Sequence, residues 1–310
     1  MRKILLRLSL ARLTLALMAA VVVSGWSQAA AAACGLGVAG ATERVEVGRT
    51  GRSLMLHRPE GPDAALRPLV ILLHGSGGTG AKMLSDTTLE ATADRNGFIV
   101  AAPDAGIPAG DGFVWNIPGV PTVLGRVPGP GDADDVAYLG AVVDDLVARQ
   151  CVDPARVYVT GLSGGGRMAS WMGCVDPRRF AAIAPVVGLR AGNPDPEDPS
   201  RPDPETCLPD APMPVIAFAG DADQTNPTQG GGAPYWSYPM HAALQRWAQL
   251  NGCAGPSPTE WMGENLYEER YSACADDAEV VARMTVGGGH LWLADEEAMW
   301  AFFTRHARPR

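Results

Sequence analysis

The stretch Val157–Met168, "VYVTGLSGGGRM", decides how the rest of the chain is read. Val157, Tyr158, Val159 and Thr160 are residues that fit a pleated, half-buried surface, so they predict a strand. A glycine follows, and Ser163 stands among Gly161, Gly164, Gly165 and Gly166 before helix-forming residues resume at Arg167 and Met168. Gly161-Leu162-Ser163-Gly164-Gly165 fits G-x-S-x-G in the strand–turn–helix context that gives the pattern its meaning. A turn that sharp leaves no room for side chains around it, and it lifts the serine oxygen clear of the sheet. The bland alternative is a glycine-rich turn with an idle serine, which a chain with 37 glycines can produce by chance. Partners for the serine decide between the two.

Working outward, "PLVILLHG" and "GFIVAAPD" are short continuous apolar runs, as expected of strands covered on both faces. The segment "AKMLSDTTLEATADRN" between them predicts a helix. "DADDVAYLGAVVDDLVARQ" predicts a helix with Val136, Leu139, Val143, Leu146 and Val147 on one face and Asp132 or Asp134 as its cap. Further strands are expected in "FAAIAPVVG", "PVIAFAGDAD" and "EVVARMTVGG", and a terminal helix in "WLADEEAMWAFFTRH". Residues 43–60 read as a β-hairpin. Strands alternating with helices predict an α/β fold with a mostly parallel central sheet flanked by helices and an N-terminal β-hairpin. The segment "GNPDPEDPSRPDPETCLPD" holds six prolines and is expected to be an irregular surface loop pinned at Cys207.

The first 33 residues form a separate class. Arg2, Lys3, Arg7 and Arg12 precede the apolar "LTLALMAAVVV", and small residues follow, so 1–33 reads as a signal peptide and 34–310 as a single catalytic domain. The apolar run is short for a membrane anchor. Removing it leaves 21 basic against 34 acidic side chains, a formal charge of −13. So acidic a chain without a Lys/Arg run is a poor nucleic-acid binder, and no stable membrane insertion is expected. Export makes the six cysteines readable as three disulfides, none of them in a C-x-x-C zinc spacing. Lipidation of Cys34 is the alternative, but "AAAC" lacks the leucine usual before a lipidated cysteine, and one thiol would be left over.

Serine chemistry needs a base, and the chain has five histidines. His57 lies in the hairpin, His241 in a helix and His306 in the polar tail, and His74 precedes a glycine where it shapes a loop. His290 in "VGGGHLW" remains, after the last strand and three glycines. The orienting acid is expected after a strand between Ser163 and His290, where "VIAFAGDADQTNP" offers Asp221 and Asp223. The order Ser, Asp, His is that of α/β-hydrolases. Asp223 is the expected acid, and an Asx-turn or cap is the reading for Asp221. For the oxyanion, the backbone N–H groups of Gly164 and of Ser76 in "HGSGGTG" are the expected donors. Neither glycine-rich loop fits G-x-x-x-x-G-K-[ST] or G-x-G-x-x-G, so nucleotide binding is not expected.

Taken together, "LLHGSGG", "DDVAYLGAVVDDL", "VDPARVYVTGLSGGGRMA", "FAAIAPVVG", "AGDAD", "LNGC" and "GGGHLW" resemble, in order and over residues 69 to 292, the secreted polyhydroxybutyrate depolymerase and feruloyl or acetylxylan esterase group of α/β-hydrolases. The resemblance implies the α/β-hydrolase fold, Asp223 as the acid (the fifth residue of an "HGTAD"-like segment) and His290 as the base. It also implies Cys174–Cys207 and Cys253–Cys274 bridges, leaving Cys34 with Cys151. The chain departs from the group at Ala219-Gly220, where His-Gly is frequent, and at Leu291-Trp292-Leu293-Ala294, where Trp-Pro-Gly is frequent.

The function expected is that of a secreted serine esterase acting on hydroxybutyrate-type oligomers or polyester, or on feruloyl or acetyl esters of plant polysaccharide, with no metal or organic cofactor. Trp115 and Trp292 are candidates for an aromatic substrate cleft, with ordinary packing as the alternative for each. A peptidase of the prolyl-oligopeptidase type shares the triad, but the chain has no room for the propeller that selects short peptides. A silent binding protein of the same fold is expected to lack a triad residue, and all three are present. No separate polymer-binding module is seen at either end.

Overall fold

A chain that reads strand–helix–strand has to cover both faces of its sheet, and the computed structural model shows how it does so; it describes residues 34–61 and 66–309. The proposed signal peptide lies outside the described residues. Strands β1 (Ala41–Glu46) and β2 (Ser53–Arg58) form the expected hairpin. They are followed by β3 (Arg67–Leu73), helices α1 (Gly80–Ser85) and α2 (Leu89–Asn96), and β4 (Ile99–Pro103). Next come a small hairpin of β5 (Ile107–Ala109) and β6 (Gly112–Val114), helix α3 (Asp135–Ala148), β7 (Val152–Leu162) and α4 (Gly164–Val175). Then come β8 (Ala182–Val186), β9 (Val215–Gly220), α5 (Met240–Leu250), β10 (Glu260–Trp261), β11 (Leu266–Tyr271), β12 (Val280–Thr285) and α6 (Glu296–Phe303).

The main sheet has ten strands in the order β1-β2-β4-β3-β7-β8-β9-β12-β11-β10. From β4 through β3, β7, β8 and β9 to β12 every pair is parallel, and antiparallel strands close both edges. Along β3 the two-residue period of a strand divides the core: Leu69, Ile71 and Leu73 face one layer, Val70 and Leu72 the other. The first layer is filled by Leu139 and Val143 of α3, Met168 and Met172 of α4, and Leu244 and Trp247 of α5. The second is filled by Met83 and Leu84 of α1, Leu89 and Ala93 of α2, and Met299, Phe302 and Phe303 of α6. The fold is α/β, with helices on both faces of a mostly parallel sheet.

Three local expectations are corrected. The segment expected as one helix between β3 and β4 breaks into α1 and α2 across Asp86–Thr88, because Thr79 caps the first by accepting from Lys82 N–H and Glu296 of α6 reaches in to bind Thr88 at the break. The terminal helix starts only at Glu296, where Asp295 caps it by accepting from Ala298 N–H. The pairs β5–β6 and β10–β11 were not expected: the first is three residues a side, the second has a two-residue strand, and neither offers enough alternation to register.

Three disulfides, Cys34–Cys151, Cys174–Cys207 and Cys253–Cys274, tie the chain. The second joins the last turn of α4 to the acidic proline-rich segment, which holds no helix or strand. In the chain-entropy account, closing a loop of this size stabilises by about 3–4 kcal/mol. Cys174→Ser with Cys207→Ser is therefore expected to lower thermal stability and make residues 192–210 the first site of limited proteolysis. A wild-type digestion pattern would show that other contacts hold this segment.

Candidate active site

The turn after β7 is closely packed against the neighbouring strand. Ser163 has φ 54° and ψ −110°, left-handed backbone that a non-glycine residue adopts only at a cost of about 1–3 kcal/mol. Its neighbours have to be glycine for a steric reason. A Cβ on Gly165 would lie 2.2 Å from the Leu73 carbonyl oxygen, and one on Gly161 would lie 2.6 Å from the Gly165 carbonyl carbon. Gly165→Ala is accordingly expected to destabilise by about 3 kcal/mol or more, read as a drop in Tm, since the atoms met are backbone and cannot rotate away.

The elbow delivers Ser163 Oγ to 2.9 Å from His290 Nε2, and His290 Nδ1 lies 2.8 Å from Asp223 Oδ2. Asp223 Oδ1 accepts the backbone N–H groups of Thr225 (2.8 Å) and Asn226 (2.9 Å). A carboxylate so surrounded by donors acts as acceptor only, so His290 carries its proton on Nδ1 and presents a bare Nε2 to the serine hydroxyl. The acid's loop is in turn fastened to the end of β8, because Asn226 Nδ2 donates to the Val187 carbonyl at 2.6 Å. Asp223 is buried, while the His290 side chain is about a quarter exposed.

Asp221 does other work. Its Oδ1 accepts the Gly287 N–H at 2.6 Å, bracing the glycine loop that carries His290 against the end of β9. His74 also shapes a loop: Nε2 accepts from Ala105 N–H at 3.0 Å, so Nδ1 is the protonated nitrogen and donates to Gly75 O at 2.7 Å. Burial pulls its pKa down, outweighing the Gly75 carbonyl and nearby carboxylates. His57 sits against Asp94 on β2, His241 beside Glu269 on α5, and His306 beside Glu279. None of these touches the elbow.

The Ser76 amide lies against the start of α4: a Cβ on Gly164 would lie 3.1 Å from Ser76 N. Gly164 is the first residue of that helix, where an N–H has no partner within the helix and the dipole favours negative charge. The Ser76 loop is held by the β5–β6 hairpin, with Gly77 N–H donating to Phe113 O (2.8 Å) and Phe113 N–H to Gly78 O (3.0 Å). That hairpin is fastened by Asp135, which leads α3 and is buried. Its Oδ2 accepts from Gly106 N–H (3.3 Å) and Asn116 N–H (2.8 Å), and its Oδ1 pairs with Arg52.

Trp115 is buried, tilts against the His74 ring and donates its indole N–H to His74 O at 2.8 Å, while one edge lines a small cavity shared with Ser76, Gly164 and Arg167. Trp292 turns the other way: its indole N–H donates to Glu296 Oε1 at 3.0 Å, and the ring lines a groove with Thr88 and Arg95. Sequence reasoning did not single out Arg167 and Arg190. Arg167 is one turn into α4, and its Nη2 lies 3.4 Å from Ser76 Oγ. Both are buried without an acidic partner among the described residues, and burial pulls their guanidinium groups down to about 10 and about 9, so each stays charged at neutral pH. An arginine inside an otherwise apolar helix face, "GGGRMASWM", was the available signal.

Comparison with known proteins finds similar esterases. Residues 52–196, just under half of the chain and including β3, the Ser76 loop and the elbow, match the family model described as esterase PHB depolymerase. This stretch of the chain is similar to that family. Feruloyl esterase B of Piromyces equi is 29% identical to it over 250 residues, 78% of this chain and 42% of that protein. A putative esterase, NocK, of Nocardia uniformis subsp. tsuyamanensis is 38% identical over 192 residues, 61% of this chain and 50% of that protein. The chain thus spans about half the length, or less, of these two relatives. Among solved structures, acetyl xylan esterase from Aspergillus awamori superposes with a TM-score of 0.60 at 18% identity, covering 86% of this chain and 99% of that one. At that identity the likeness concerns the fold, and the fold is that of the α/β-hydrolases.

Proposed function

We propose that the protein is a secreted serine hydrolase of carboxylic esters, and the observation that carries this reading is the continuous hydrogen-bonded path from Asp223 through His290 to Ser163 Oγ. In the proposed reaction His290 Nε2 takes the hydroxyl proton as Ser163 Oγ attacks the ester carbonyl. The oxyanion then develops toward the N–H groups of Ser76 and Gly164. The imidazolium, stabilised by Asp223, returns its proton to the departing alcohol, and a water activated by the same nitrogen releases the acid from the acyl-enzyme. None of these steps calls on a metal or an organic cofactor.

Feruloyl, acetyl and hydroxybutyrate esters are the substrate classes in view, from the relatives' names and the sequence resemblance. A panel of p-nitrophenyl acetate and butyrate, methyl ferulate, acetylated xylan and hydroxybutyrate oligomers tests the reading. Turnover of at least one ester is expected, and failure on all of them, with a prolyl peptide substrate cleaved instead, would move the protein to the peptidases.

Secretion is supported by the three disulfides, which persist in oxidising compartments. The expected result is a mature protein with no free thiol under denaturing conditions and a mass without an acyl chain. A lipid-sized addition at Cys34 would make it an anchored lipoprotein instead. No helix among the described residues is long and apolar enough to cross a membrane.

A further inference from the structure

A protein with a net charge of −9 keeps two arginines, Arg167 and Arg190, buried side by side next to the candidate site. They are 6% and 7% exposed. Elsewhere on the described surface arginines pair readily with acids, as Arg126 does with Asp132 and Arg178 with Asp210. Among the described residues no carboxylate pairs with either Arg167 or Arg190. They are close enough to oppose each other's charge.

What holds them is aromatic. The Arg167 guanidinium lies 4.2 Å from the Tyr235 ring centre, and Arg190 lies 3.2 Å from that of Trp236 and 4.3 Å from that of Tyr238. Stacking engages the flat face of a guanidinium and leaves the N–H donors in its plane free. Arg190 spends one nitrogen, Nη1, on the Tyr238 carbonyl at 2.7 Å. Its Nε and Nη2, and Nε of Arg167, are buried with no hydrogen-bond partner. Buried charges are normally paired, and buried donors normally bonded. Unused donors on two neighbouring planar cations supply the chemistry that a carboxylate satisfies through paired N–H···O bonds.

The place is as informative as the chemistry. Arg167, Ile117 and Val120 line two small neighbouring cavities, one shared with Ser76 and Gly164 and the other with Arg190 and Asn193. Its Nη2 is 3.4 Å from Ser76 Oγ, on the residue whose amide faces the developing oxyanion in the proposed reaction.

We propose that Arg167 and Arg190 form a carboxylate subsite, so that the preferred substrates are esters bearing a free carboxylate close to the ester bond. The inference rests on the serine-esterase reading above, and it narrows the substrate class to charged short esters, such as a hydroxy-acid dimer with a free acid end or the half-ester of a dicarboxylic acid. The neutral polymer interior and neutral sugar acetates lack the group that completes the site.

The test compares matched pairs. The dimer of 3-hydroxybutyrate carries the carboxylate on the alcohol side and is compared with its methyl ester; mono-p-nitrophenyl succinate carries it on the acyl side and is compared with p-nitrophenyl butyrate. In the wild-type protein at neutral pH, kcat/KM for the charged member of at least one pair is expected to exceed that of the neutral member by roughly tenfold to a hundredfold, the range for hydrogen bonds to charged groups, mostly through KM. The responding pair identifies the side. Arg167→Met and Arg190→Met are expected to bring that ratio to about one, and Arg167→Lys to keep part of it, with fluorophosphonate labelling counting the folded sites. Ratios at or below one for both pairs in the wild type, with the neutral esters still cleaved, overturn the subsite and leave the esterase reading standing. Because the wild-type pairs decide the matter, a variant that fails to fold does not rescue the proposal. No turnover of any ester by wild type defeats the esterase reading itself.

Discussion

Ser163→Ala is expected to reduce ester turnover by about 10⁶-fold while leaving the fold intact. The magnitude follows from how a triad fails: without the nucleophilic oxygen the remaining groups no longer act as a unit, and what persists over water comes from oxyanion donors and binding alone. The fold should survive because the substitution removes one oxygen from a side chain that caps nothing; Ser163 precedes α4 but accepts no helix-capping hydrogen bond. The strained φ of 54° is imposed by the surrounding backbone and is the same for alanine. Two measurements check the result: initial rates on p-nitrophenyl butyrate, and labelling by a fluorophosphonate, which should mark the wild type once and the variant not at all. Undiminished labelling of the variant would transfer the nucleophile to another residue.

The elbow was legible in the sequence because its cause is local. Contact of Gly165 with Leu73 O and of Gly161 with Gly165 leaves glycine as the only residue that fits, and glycines in a strand-to-helix setting are visible without coordinates. Elimination pointed to His290 for a related reason: the other four histidines sit in segments whose strand, helix or loop character could be read directly, and the structure places His290 Nε2 2.9 Å from Ser163 Oγ. Strands β3, β4, β7, β8, β9 and β12 were visible as apolar runs because both their faces are covered. Other features depend on distant pairings that leave little local trace. The break between α1 and α2 depends on Glu296, about two hundred residues away. The hairpin that braces the Ser76 loop has strands of three residues. The arginine pair joins a residue of α4 to one beyond β8, and only the fold shows that neither has an acid beside it.

Asp221 and Asp223 separate most sharply by experiment. The two lie in one loop, two residues apart, and sequence spacing alone allows either. In the structure Asp223 meets His290 Nδ1 and two backbone N–H groups, whereas Asp221 accepts from the Gly287 N–H. Asp223→Asn is expected to lower kcat by about 10⁴, because an amide nitrogen in place of the carboxylate oxygen favours the wrong imidazole tautomer and removes the charge that stabilises the imidazolium. The backbone bonds from Thr225 and Asn226 can still be accepted by the amide oxygen, so the loop should hold and Tm should change little. Asp221→Asn is expected to do the reverse, costing about 1 kcal/mol of stability, the scale of one loop hydrogen bond, with kcat within a few-fold of wild type. A large kcat loss confined to Asp221→Asn would hand the orienting role to that residue and require the loop to rearrange before catalysis.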